Sequence, residues 1–156
     1  MDEAQSAFWI LKEKLTTAPI LKRPELDQPF ILYTDAYASG LGAILSQKQN
    51  GKEVVIAYAS HGTNPAQRNY GATQLELLAV IWALKHFRHY LIGRRFTLTI
   101  DHQALKWLIN INNPSGIYAR WIARLQEYEF DIIYRPGKAN MNADALSRMK
   151  MTGPRF

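Results

Sequence analysis

A chain of 156 residues with 47% hydrophobic content is long enough for one domain with its own core and too short for two comfortable ones. Its net charge of +6 favours phosphate backbones or anionic membrane surfaces as partners. The absence of cysteine excludes disulfide frameworks, thiolate zinc sites and cysteine nucleophiles, so any metal must take oxygen or imidazole ligands. No apolar run nears the roughly 20 residues of a membrane span, and no charged-then-apolar leader opens the chain, so a soluble, non-secreted protein is expected.

In chain order, EAQSAFWILKEKLT (residues 3–16) sets Phe8, Leu11 and Leu15 at helical spacing and predicts a short amphipathic helix. TAPILKRPELDQP carries three prolines in 13 residues, which ends any helix and reads as an extended connector. From Phe30 the pattern changes. FILYTDA, LGAILSQK and EVVIAYAS are strand-like runs, the last two joined by Asn50-Gly51, a pair suited to a tight hairpin turn.

TQLELLAVIWALKHFRHYL (73–91) is apolar from Leu77 to Leu84, too long for a strand, and predicts a buried central helix. RRFTLTID is a fourth strand, ALKWLI and GIYARWIARLQEY are two more helices, FDIIYRP is a fifth strand, and ANMNADALSRM is a short final helix. The order is β β β α β α α β α, an α/β pattern. Strands separated by helices run parallel through right-handed crossovers, so strands 1, 4 and 5 are expected to form the parallel half of a mixed sheet with helices on both faces.

Two of these strands, FILYTDA and TLTID, end on a charge, Asp35 and Asp101. In an open sheet, chemistry gathers outside the carboxyl ends of parallel strands where the strand order reverses. If strands 1 and 4 are neighbours, the two carboxylates face each other, and a divalent cation between them resolves the repulsion. Glu76 is the only charge in the apolar stretch from Leu75 to Leu84, and a buried acid needs something positive nearby. Asp144, in NADALSR, begins the last helix and would complete a cluster of four. Hard oxygen donors of this kind suit Mg²⁺ or Mn²⁺.

Each acid also has a purely structural reading. Asp101 could be the N-cap of the helix after it, and Asp144 could serve the dipole of its own first turn. Asp35 could bond its own backbone to start the turn at AYASG. Glu76 could pair with an arginine. Arg68, Arg88, Arg94, Arg95, Lys106, Arg120 and Arg124 could track phosphates or simply keep the surface solvated, and Trp82, Trp107 and Trp121 fall in apolar helical stripes, where core packing is the better account than base stacking.

The segments YTDAYASG, YASHGTNPAQRNYGATQLELLAV, LKHFRHYLIGRRF, TIDHQALKW and ARWIARLQEYEFDIIYRPGKANMNADALSR resemble, in order and together, the ribonuclease H domain of gypsy-type LTR retrotransposon polyproteins. The similarity covers about residues 5–149. The resemblance divides the chain into an amino-terminal helix and connector (1–28) left from the junction with reverse transcriptase, a ribonuclease H domain (29–149) and a tail (150–156). It implies a five-stranded mixed sheet ordered 3-2-1-4-5 and a catalytic, metal-binding set of Asp35, Glu76, Asp101 and Asp144.

The implied reaction is two-metal hydrolysis of the RNA strand of an RNA–DNA hybrid with Mg²⁺, or Mn²⁺ in its place, with Asp35 as the shared ligand. The products would carry 5′-phosphate and 3′-hydroxyl ends. Ser39, Thr73, His102, Gln103 and Arg68 are the expected substrate contacts, the polymerase domain of the same polyprotein the expected partner, and a cytoplasmic particle or the nucleus the expected location.

Two departures from the family pattern stand out. Many ribonucleases H carry a histidine on the loop before the last helix; here RPGKANMNAD has none, which leaves Asn140 or Asn142 to substitute in part. NINNPSGI (109–116) offers no basic, substrate-gripping extension, so grip on the hybrid would fall to an attached polymerase. The alternative reading is a non-catalytic domain of the same fold, acting as a connector or nucleic-acid-binding module. Retention of all four acids favours the enzyme.

Overall fold

Phe30, Leu32 and Ala36 alternate with Ile31, Tyr33 and Asp35 along the first run, the period-two pattern of a strand. In the computed structural model, which describes residues 21–37, 39–109 and 116–135, that run is strand β1 (Phe30–Tyr37). The helix expected over 3–16, Asn140, Asn142, Asp144, the final helix and the tail lie outside the described residues. β2 (Gly40–Gln49) and β3 (Lys52–Gly62) complete an antiparallel meander. Its hairpin turn puts Asn50 at φ 54° and Gly51 at φ 79°. Two left-handed residues in sequence match the twist of the flanking strands, and Asn-Gly accepts that backbone with least strain.

β4 (Arg95–Ile100) and β5 (Glu129–Tyr134) run parallel to β1, and the sheet order is β3-β2-β1-β4-β5. Both the expected order and the expected parallel half are therefore present. The central helix, α1 (Ala72–His86), packs across β1 and β2 and buries Leu75, Leu77, Ala79, Val80, Ile81, Ala83 and Leu84. The single helix expected to Leu91 is broken at Phe87, which leaves the helical geometry (ψ 19°), and α2 (Arg88–Leu91) follows as a separate turn. The break is marked by no proline or glycine; both Phe87 and Leu91 end up buried beside it.

Helices α3 (Gln103–Ile109) and α4 (Ile117–Leu125) lie between β4 and β5 as expected. Trp121, Ile122 and Leu125 of α4 join Leu77, Val80, Leu84, Phe96 and Leu98 in one hydrophobic core. No helix among the described residues is long and apolar enough to cross a membrane.

The connector does not hang free. Gln47, fully buried on β2, accepts from the Glu25 N–H (2.6 Å) and donates to the Glu25 and Gln28 carbonyls (3.1 and 3.2 Å). Gln49 donates to the Arg23 carbonyl, the Lys22 N–H to the Val55 carbonyl and Arg94 to the Leu26 carbonyl. A primary amide offers both donors and an acceptor. It can therefore bind a strap of irregular backbone that has no ladder of its own.

Candidate metal site

Parallel pairing of β1 and β4 ends at Tyr33 opposite Thr99. Asp35 and Asp101 each lie two residues beyond that last pair, where the strands part and the sheet changes from antiparallel to parallel. On the far side of the gap, β5 supports the end of β4, because the Arg135 N–H donates to the Ile100 carbonyl at 2.8 Å. The crevice is thus a property of register.

Glu76 enters from above. It is the fifth residue of α1, on the face that packs against the sheet, and its neighbours Leu75 and Ala79 sit on Ala36 and Leu41. Burial of those apolar residues draws the carboxyl down to the strand ends. Asp35, Glu76 and Asp101 each bring one carboxylate oxygen into a group whose members all lie within 4.8 Å of one another. Asp35 and Glu76 are buried, at 5% and 8% exposure, and Asp101 is half-buried.

The electrostatics are those of crowded acid. Burial, then the charges of Asp35 and Asp101, hold the Glu76 carboxyl far above the ordinary carboxylate range; a hydrogen bond donated by the Ala36 backbone N–H opposes this only in part. Glu76 Oε2 is buried with no hydrogen-bond partner among the described residues. The arginine partner weighed for Glu76 is therefore not its environment: the nearest charges are two further acids. Asp101 stands two residues before Gln103, the first residue of α3.

A hard divalent cation fits this donor set. Three carboxyl groups each bring an oxygen from a separate element, Glu76 Oε2 has no hydrogen-bond partner among the described residues, and no lysine or arginine contributes to the shifted Glu76 carboxyl. Asp144, the fourth expected ligand, lies outside the described residues.

The expected substrate contacts lie on four separate segments. Thr73 is half-buried one helical turn before Glu76 and so shares its face of α1. His102, half-buried with Nδ1 unpartnered among the described residues, and exposed Gln103 follow Asp101 directly. Ser39 is exposed in the β1–β2 turn, where its carbonyl accepts from the Thr63 N–H (3.4 Å). Arg68 is exposed on a 3-10 turn before α1.

Reading the sequence missed the Ala36 N–H that orients Glu76, because a backbone donor leaves no mark on residue type. It also missed the Gln47 clamp. A glutamine alternating with Leu45 on the apolar side of a strand was the available signal.

Residues 25–128 match the model of the RNase H-like domain found in reverse transcriptase. The chain is 48% identical over 145 residues to the retrovirus-related Pol polyprotein from transposon 297 of Drosophila melanogaster, covering 93% of this chain and 13% of that protein. It is 36% identical over 149 residues to the Pol polyprotein from transposon gypsy of the same organism, covering 94% and 14%. The chain therefore spans a small part of these relatives' length. Among solved structures, LC11-RNase H1 in complex with an RNA/DNA hybrid superposes with a TM-score of 0.52 at 15% identity, over 75% of this chain and 92% of that one. At that identity the likeness establishes the fold alone.

Proposed function

Because the chain belongs to the RNase H-like domain family found in reverse transcriptase, and its relatives are Pol polyproteins of gypsy-type transposons, we propose that it hydrolyses the RNA strand of RNA–DNA hybrids. Asp35, Glu76 and Asp101, joined by Asp144, would hold two Mg²⁺ ions, with Mn²⁺ as a substitute. The observation that carries this reading is the convergence of three acids from β1, α1 and the end of β4 to within 4.8 Å. When bound, such a pair supplies a nucleophilic hydroxide at neutral pH and stabilises the charge of the leaving 3′ oxygen.

The chain's own residues do the rest. Asp35, at the centre of the sheet and nearly buried, is the ligand best placed to serve both cations. Glu76 would hold a cation as its carboxylate, and the Ala36 N–H fixes which way that group points. Thr73, His102 and Gln103 flank the crevice and supply hydroxyl, imidazole and amide groups for the backbone and 2′-hydroxyls of the RNA, which is how a protein separates RNA from DNA. Ser39 and Arg68 extend that contact outward. The hybrid held by LC11-RNase H1 supports the substrate class, and the relatives' identity as Pol polyproteins supports a polymerase domain as the partner.

A labelled hybrid incubated with Mg²⁺ tests the reading. The wild-type chain should shorten the RNA strand while leaving the DNA intact, and Asp35→Asn should slow cleavage by at least about 100-fold, since even outer-shell partners of a metal are worth 10–100-fold. Equal cleavage by both proteins would overturn the assigned acids, and cleavage by neither would overturn the nuclease reading and leave a non-catalytic nucleic-acid-binding domain.

A further inference from the structure

His61, at the end of β3, and Trp82 and His86, on α1, form a continuous aromatic stripe. The His61 and Trp82 rings lie 6.0 Å apart and close to parallel (23°), and the His86 ring lies 5.7 Å from Trp82 at 35°. Both imidazoles are exposed, and neither makes a hydrogen bond or ion pair with another described residue. Trp82 is half-buried and packs, as its apolar helical stripe predicts, against the main core and against the Ala36–Leu41–Leu75–Ala79 cluster.

That cluster connects the stripe to the site. Ala36 follows Asp35 and Leu75 precedes Glu76, so part of the apolar footing of Trp82 is made of the residues next to two metal ligands. Ala36 pairs with Leu41 and Leu41 with His61, which puts His61 two strand spacings, about 10 Å, from the ligand-bearing strand. His86 continues the stripe one turn farther along α1 from Trp82.

Arg88 and Arg95 are committed to Glu127 and Asp131, whereas Arg68 and Lys85 make no ion pair with a described residue. Lys85 is exposed next to His86, and Arg68 is exposed on the turn leading into α1. Flat, exposed rings with two unpaired cations near them along the chain match a polyanion that presents flat rings of its own. A duplex cannot offer them, because its bases are stacked on each other; an unpaired strand can.

We propose that this stripe is a stacking platform for unpaired nucleotides, on which a single strand leaving the hybrid at the carboxylates lays its bases against His61 and His86. Trp82 backs the two imidazoles and fixes their planes. The inference rests on the nuclease reading for where the hybrid lies, and predicts a preference for hybrids that carry a single-stranded tail.

Fluorescence anisotropy without divalent metal, on a labelled blunt hybrid and on the same hybrid with a short unpaired RNA tail, tests it with the intact chain. The tail should tighten binding by the wild type about tenfold, the order expected of one to a few stacked bases. The double variant His61→Ala/His86→Ala should lose that gain while binding the blunt hybrid within about twofold of wild type. A tail of abasic sugar phosphate should give little gain. The proposal falls if the wild type gains nothing from the tail, if the variant keeps the gain, or if the abasic tail matches the normal one, which would assign the effect to backbone charge. Cleavage of the blunt hybrid with Mg²⁺ is read separately: a tail gain without cleavage overturns the nuclease reading and supports the platform.

Discussion

Burying Glu76 between Asp35 and Asp101 makes the metal-free site a source of strain that titrates. Below the ordinary glutamate value of 4.5, Glu76 is protonated in both folded and unfolded chains and contributes no pH dependence. As pH rises past that value the unfolded chain releases its proton while the folded chain, whose carboxyl is held high by burial and by its acidic neighbours, keeps it. The folded state then binds more protons, so its stability falls with rising pH. The melting temperature of the metal-free wild type should therefore drop between pH 5 and pH 8 relative to Glu76→Gln, which has no proton to lose. Parallel calorimetric scans of the two proteins check this; curves that move together with pH would remove Glu76 as the strained group. For the same reason uptake of Mn²⁺ should release a proton and weaken as pH falls, which titration calorimetry in buffers of different ionisation enthalpy would show.

At the scale of single elements, the strap and the hairpin are held by local chemistry remote from the site. Gln47→Leu keeps the volume on β2 but leaves the Glu25 N–H and two carbonyls without their partner. A lost hydrogen bond of this kind is worth about 0.5–1.5 kcal/mol net. The variant should lose roughly 2–3 kcal/mol in urea unfolding, and residues 21–28 should be cut by protease well before the sheet. Cutting at the wild-type rate would mean the strap is held by something else. At the other end of β2, Gly51→Val forces a β-branched residue into φ 79° and should cost about 1–2 kcal/mol without changing metal binding, because the turn lies at the opposite end of β2 from Gly42, the partner of Asp35.

For the whole molecule, the ligands come from distant points of the chain and only the assembled sheet and α1 hold them together. Cations that bind the folded state alone must then stabilise all of it. Millimolar Mg²⁺ or Mn²⁺ should raise the melting temperature of the wild type and leave Asp35→Asn nearly unmoved; an equal rise in both would place the cation elsewhere. The net charge of +6 acts at the same scale. Hybrid affinity should fall linearly with the logarithm of salt concentration, steeply if many phosphates are neutralised.

The strand and helix pattern was legible because each element writes its own period: alternation in FILYTDA, an apolar run in TQLELLAVIWAL, and an Asn-Gly pair whose backbone preference names the turn. Asp35, Asp101 and Glu76 were legible as anomalies, charges where such patterns predict apolar or neutral residues. What no local pattern carries is distance. That Tyr33 pairs with Thr99, so that both aspartates overhang the same gap, that Glu76 rather than an arginine faces them, and that His61 lies across two strands from the site, all follow from register and helix packing, which are summed over many weak long-range contacts. Residue types and their order determined the elements and marked the acids; only the tertiary structure decided which of them meet, because convergence depends on how the whole sheet and its helices close around one core.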